Sequence, residues 1–298
     1  MNSTREVSNS THTNPFNMAV LVVDTFLAIE IVALNSIVTI IILFYMNKQQ
    51  FSNIIFLLIS LVDLTVGLVS LPGNIILAYN QYWNFGQFLC IAYKSIDYTS
   101  SILSLFLLLM ITIHRFLQLK YPFKRKEEMN RWRWTIVSIV CVLNYLNLII
   151  ICKVYFDNED DKYTCHFKTF KLYLFLYFYL SMAIPLVLIL VVNALMIRLF
   201  IKKKKSKTLG ERKNKKEDNA IYCVLTITAN LIFCWLPYNI LYLVRKNNAD
   251  YLEDVLFLFT YACVYLFSGL NPIILLYFNT NYRTVLFEKL RALFGLIK

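Results

Sequence analysis

The sequence predicts an all-α membrane protein, a seven-transmembrane helix bundle with a short amphipathic C-terminal surface helix. Three observations predict it. The 298 residues are 58% hydrophobic and only 16% charged, and the mean hydropathy is +0.57, too apolar for a chain whose surface must face water. Apolar stretches recur around 18–46, 52–79, 87–119, 132–155, 170–201, 218–244 and 251–278, each long enough to cross a hydrocarbon core of about 30 Å. Charged residues then crowd into alternate connecting segments. A lipid-facing backbone has to satisfy its own polar groups, so each stretch is read as a helix.

The net charge of +12 sets the orientation. Lys120, Lys124, Arg125, Lys126 and Arg131 follow the third stretch. Lys202 to Lys205, Lys207, Arg212, Lys213, Lys215 and Lys216 follow the fifth, and Arg283, Lys289, Arg291 and Lys298 follow the seventh. Asp157, Glu159, Asp160, Asp161, Asp250, Glu253 and Asp254 occupy intervening segments. Basic loops stay on the cytoplasmic side. A plasma-membrane, multi-pass chain is therefore expected, with its N-terminus extracellular and its C-terminus cytoplasmic. The charge serves topology, the anionic lipid of the inner leaflet and acidic cytosolic partners, not nucleic acid.

Residues 1–17 form a polar extracellular tail with no apolar core of a signal peptide. Asn2-Ser3-Thr4 and Asn9-Ser10-Thr11 make Asn2 and Asn9 candidate glycosylation acceptors. Residues 18–279 are the transmembrane domain, and 280–298 a cytoplasmic amphipathic helix and tail. In the first span Asp24, Glu30 and Asn35 are costly in lipid and should face the bundle or water. The second carries Asp63 and a kink at Pro72, and Tyr82-Trp83-Asn84-Phe85-Gly86 after it suits the membrane interface. The fourth opens on Trp132-Arg133-Trp134, and Pro185, Pro237 and Pro272 give the last three spans places to bend. Beyond Tyr282, Val285, Leu286, Leu290, Leu293 and Phe294 alternate with Arg283, Lys289 and Arg291, the pattern of a helix lying on a membrane surface. Of seven cysteines, Cys141, Cys152, Cys223, Cys234 and Cys263 lie inside spans. Cys90 and Cys165 fall at the outer interface, where a bridge is the economical pairing.

The third span has chemistry at both ends. Asp97 and Arg115 are eighteen residues apart, on one helix face and roughly 27 Å apart along the axis. Such a helix either senses at one water phase and reports at the other, or carries two structural charges that snorkel or pair.

Taken together, Asn35, Leu61-Val62-Asp63, Cys90 with Cys165, His114-Arg115-Phe116, Pro185, Cys234-Trp235-Leu236-Pro237 and Asn271-Pro272-Ile273-Ile274 make the chain resemble a rhodopsin-like G-protein-coupled receptor over essentially its whole length. The resemblance implies an extracellular ligand, a heterotrimeric G protein as cytosolic partner and no cofactor except an allosteric sodium ion. His114, Arg115 and Phe116 match the family's coupling motif, with His114 where an acid usually restrains the arginine. That substitution implies a less firmly held resting state. Asp63, Ser104, Ser268 and Asn271 match its sodium pocket, and the other reading of Asp63 is a protonated, hydrogen-bonded acid. Two positions depart from the family: Leu275 stands where a tyrosine is usual, with Tyr277 two residues on, and the fourth span lacks its mid-helix tryptophan.

The same resemblance sets out a ligand site like that of the biogenic amine and acetylcholine receptors: Asp97, with Tyr98, Ser101, Trp235, Tyr238, Asn239, Tyr261 and Tyr265. A carboxylate amid aromatic faces holds a desolvated cation by ion pairing and cation–π attraction. With 20 tyrosines and 23 phenylalanines, an aromatic core is the plain alternative. Lys94 and Arg245 instead suit a nucleotide or carboxylate, and the Cys234 to Asn239 run also fits chemokine-like peptide receptors; a largely ligand-independent receptor is a further alternative. An enzyme is not expected, since His12, His114 and His166 are scattered and no nucleophile stands beside a base. A transporter would need a continuous polar path and related halves, and neither is visible.

Overall fold

The computed structural model describes residues 15–47, 50–80, 82–121, 171–206, 215–244 and 251–293, with isolated positions at 135, 139, 142, 146, 165 and 295. Apart from positions 135, 139, 142 and 146, the expected fourth span lies outside the described residues, as do Trp132-Arg133-Trp134, the acceptors Asn2 and Asn9, and Arg245. Helices run over α1 (Pro15–Tyr45), α2 (Phe51–Thr65), α3 (Leu71–Asn80), α4 (Gly86–Lys120), α5 (Lys171–Ser206), α6 (Lys215–Val244), α7 (Tyr251–Phe278) and α8 (Thr280–Leu293). Six stretches among the described residues are long and apolar enough to cross a bilayer, one each in α1, α4, α5, α6 and α7 and one running through α2 and α3.

Between α2 and α3 the backbone winds through a π-helical turn, Val66–Ser70, whose wider spacing has the Leu71 N–H donate to Val66 O. Sequence reasoning puts the kink at Pro72. The disturbance lies before it because a proline ring clashes with the carbonyl four residues earlier, here Leu68, and removes an N–H. Pro185, Pro237 and Pro272 differ, since α5, α6 and α7 each continue through their proline. Gly86 opens α4 with φ +75°, a conformation that favours glycine.

Helices that share a lipid solvent gain little by hiding apolar surface from it, so close packing and polar ties decide which faces meet. Ile184, Val187, Leu190 and Val191 of α5 are exposed to the surroundings, while Val38, Ile55, Leu108, Ile111, Ile189 and Val224 pack the bundle interior. The ties are specific. Asn35 of α1 donates to Ser268 O of α7 at 3.2 Å, and the Thr65 and Ser100 hydroxyls join α2 to α4 at 3.0 Å. Asn193 Nδ2 of α5 donates to Thr228 Oγ1 of α6 at 2.9 Å. Asn230 of α6 reaches Phe267 O at 3.4 Å and Asn271 Oδ1 at 3.5 Å on α7. At the far end of α5, Lys203 Nζ donates to Leu119 O in the last turn of α4, where a cation complements the helix dipole.

Asn35→Ala removes the tie between α1 and α7 together with the donation to Ile31 O at 3.0 Å. A cost of about 1–2 kcal/mol follows, lowering the melting temperature of the purified protein by about 2–4 °C; differential scanning fluorimetry in detergent reads it.

Candidate functional site

At one end of the bundle Cys90 of α4 is bonded to Cys165, as expected from their shared position at the outer interface. The bridge sits in a small core of its own with Trp83, Ile91 and Tyr93. Trp83 stacks on Tyr93 with centroids 5.4 Å apart and donates from Nε1 to Gly86 O at 2.9 Å. Tyr93 lies so close over Gly73 of α3 that a Cβ there would meet its ring at 2.4 Å. That contact places the Tyr93 hydroxyl where it donates to Asn74 Oδ1.

Asn74 Nδ2 in turn donates to the Tyr265 hydroxyl at 2.8 Å, and Tyr265 donates to Asp97 Oδ1 at 3.0 Å. The Tyr261 and Tyr265 hydroxyls meet at 2.6 Å. Lys94 Nζ donates to Tyr93 OH at 3.3 Å, within the field of Asp97. Asp24 of α1 is buried and faces the same carboxylate, as an acid in a span should. A half-buried carboxylate is thus surrounded by hydroxyls and rings from α4 and α7, with an amide from α3 and a second acid from α1.

Of the ligand residues expected from sequence, Asp97, Tyr261 and Tyr265 stand together, and Tyr238 joins them through a ring contact with Tyr261 at 5.6 Å. Trp235 is buried, and Asn239 donates back to Trp235 O at 2.7 Å, so these two are tied to each other. Ser101 Oγ donates to the Asp97 backbone carbonyl at 3.3 Å. Tyr98 is 36% exposed, one step round the helix from Asp97. Asn74 and Tyr93 were not singled out beforehand. Tyr93 had a visible signal, lying one turn before Asp97 on the same face of α4, whereas Asn74 was only a lone amide in an apolar run.

Midway down, Asp63 is fully buried. Ser268 Oγ donates to its Oδ1 at 2.7 Å and Asn271 Nδ2 to its Oδ2 at 3.3 Å, and Ser104 faces the same carboxylate. Below lies a small cavity lined by Asn35, Ser60, Ser104, Leu108, Asn271 and Leu275 among others, and the buried Asn35 Oδ1 beside it has no hydrogen-bond partner.

At the other end, His114 is buried with its ring edge against Phe51 of α2, 5.0 Å between centroids. Arg115 Nη1 donates to Gln118 Oε1 at 3.0 Å, and Phe116 lies under Lys120 Nζ at 5.8 Å. Leu275 is buried, and Tyr277 is 67% exposed. Tyr282 of α8 is buried, donates to Asn53 Oδ1 of α2 at 2.8 Å, and lies in the field of Arg115 and of Cys223 on α6. Burial pushes its phenol above the ordinary tyrosine range, so it stays a donor.

A multi-pass helical bundle with a tethered, carboxylate-centred cluster at one end and a guanidinium at the other has the form of a transmembrane receptor. Comparison with known proteins supplies the family: the description "7 transmembrane receptor (rhodopsin family)" matches residues 34–275, and the chain belongs to it. Receptors of this family bind extracellular ligands and couple to G proteins, and they are not enzymes. Type-1 angiotensin II receptor of Bos taurus is 25% identical over 260 residues, covering 80% of this chain and 71% of the relative. The human Type-1 angiotensin II receptor is likewise 25% identical over 80% of the chain and 71% of its own length. Histamine H1 receptor of Homo sapiens is 28% identical over 119 residues, 40% of this chain and 24% of the relative.

Gly73→Ala drives a methyl into the Tyr93 ring. The expected cost is about 1–3 kcal/mol, read as a lower melting temperature, and the second change Tyr93→Ala recovers part of it because it removes the clashing ring.

Proposed function

We propose that this receptor binds a small cationic amine at the disulfide-tethered end of the bundle and activates heterotrimeric G proteins from the end that carries Arg115. One observation carries the ligand class: Asp97 takes its hydrogen bond from Tyr265 inside a cluster of tyrosine rings, an arrangement suited to a desolvated ammonium. The histamine receptors among the relatives are named for an amine and agree with it. Ligand binding shifts the population toward a bundle whose α6, bent about Pro237, opens at its inner end.

In this reading residues 1–17 are extracellular, the lysine-rich segment before α6 is cytoplasmic, and α8 lies on the inner membrane surface. Asp63, Ser104, Ser268 and Asn271 hold a sodium ion. The fit is chemical, because a single carboxylate with two hydroxyls is a hard-oxygen set suited to a small monovalent cation. When bound, the ion supplies the positive charge that a buried carboxylate otherwise lacks.

A second reading is favoured by a different observation. Lys94 sits in the Asp97 cluster, and the relatives that align over most of the chain are named for angiotensin II, a peptide. An anionic or peptide ligand would use Lys94. Asp97→Asn is expected to raise the half-maximal amine concentration by a hundredfold or more, because loss of one partner strands a charge, a cost of about 3–5 kcal/mol. Lys94→Gln should leave the amine response within about threefold. G-protein activation measured against panels of amines, nucleotides, carboxylates and peptides decides it, and a response abolished by Lys94→Gln but kept in Asp97→Asn overturns the amine reading.

The absent acid at position 114 sets a separate expectation. His114→Asp restores a carboxylate beside Arg115 and should lower agonist-free G-protein activation by about tenfold or more, the worth of one charge-assisted contact; unchanged basal activity would count against Arg115 as the coupling residue.

A further inference from the structure

α8 follows α7 after a single residue, Asn279, and its inner face is apolar, with Val285 and Leu286 packed against the bundle core. For packing alone a phenylalanine would serve at position 282. The chain instead buries a tyrosine there, 1% exposed, and a buried hydroxyl is costly unless it is met. It is met by Asn53 Oδ1, whose own amide donates to Asn47 O at 2.9 Å and closes the turn between α1 and α2. One side chain of α8 therefore joins the α1–α2 turn, in the same packed core as Cys223 of α6 and within the field of Arg115 of α4.

That position matters because two restraints usual in the family are changed here. His114 replaces the acid beside Arg115, and Leu275 replaces the tyrosine of the seventh span, lining the cavity with a buried apolar side chain. A hydroxyl in the field of the arginine then comes from the next helix along, at Tyr282.

We propose that Tyr282 is a positioning residue for the coupling end: its hydrogen bond to Asn53 latches α8 to the α1–α2 turn in the resting bundle, and the bond breaks when the inner end of α6 moves away. The signalling consequence rests on the receptor reading above, and the latch itself is read without it. The native thiol of Cys223, buried on α6, reports opening.

The test uses the full-length protein in lipid nanodiscs as wild type, Tyr282→Phe, Asn53→Ala and the double variant. Maleimide labelling of the Cys223 peptide is followed by mass spectrometry, and agonist-free nucleotide exchange on a heterotrimeric G protein is measured beside it. Each single change is expected to speed Cys223 labelling by about two- to fivefold, the scale of one lost neutral hydrogen bond, with the double variant no faster than either single one. Unchanged labelling in Tyr282→Phe, or single effects that multiply in the double variant, overturns the latch. If Tyr282→Phe does not accumulate, Asn53→Ala decides the point alone, since it leaves the ring in place. Faster labelling with flat nucleotide exchange keeps the latch and overturns the G-protein reading instead.

Discussion

A carboxylate with no exposure in the middle of a membrane span has to be met by protein, and the whole inner architecture follows from how Asp63 is met. Ser268 and Asn271 bond it from α7, so α7 is fixed in register against α2. Asn35 bonds the carbonyl of that same Ser268, and Asn230 bonds the side chain of that same Asn271. The helices α1, α2, α6 and α7 thereby share one polar knot. In water such bonds add little to a well-packed core; between helices in lipid they select which faces meet.

The helix α4, which brings Ser104 to the same knot, carries Asp97 toward one end and Arg115 toward the other. Its 35 residues run without interruption, so a disturbance at Asp97 reaches Arg115 through motion of the rod against its neighbours rather than by unwinding. The neighbours are better suited to change. Pro237 leaves the carbonyl of Phe233 without its helical donor, and nearby Asn239 bonds the carbonyl of Trp235 with its side chain. Irregular backbone in a span survives where side chains satisfy the freed groups. On α6 the side-chain bond falls on the carbonyl of Trp235, two residues beyond the freed one.

The legibility of these features in the sequence differs for physical reasons. Spans are set by hydrophobic length, a local property, and among the described residues the helices that carry six of them follow the apolar stretches to within about five residues at each end. The Cys90–Cys165 bridge was readable because only two cysteines lay at a water interface. Asp63 with Ser268 and Asn271 was readable through resemblance. What periodicity does not encode is which distant side chain fills a partner's last valence. Asn74 matters because Tyr93 rests on Gly73 beside it, and Tyr282 because Asn53 is 229 positions away in sequence. Both were visible beforehand only as a lone amide and as one tyrosine among twenty.

The outer cluster sets a condition on any cation that reaches Asp97. The carboxylate already accepts from Tyr265, which itself accepts from Asn74, while Asn74 accepts from Tyr93 under Trp83. This chain is anchored at the disulfide, which holds Cys90 in the same small core as Trp83 and Tyr93. An ammonium that takes a lone pair of Asp97 therefore competes with a tyrosine whose other bonds are fixed, and the strain passes to α7. Three residues further along α7 stands Ser268, which donates to Asp63. The path from Asp97 to the knot is less than one helical turn along α7, the helix that donates directly to the carboxylate of each cluster.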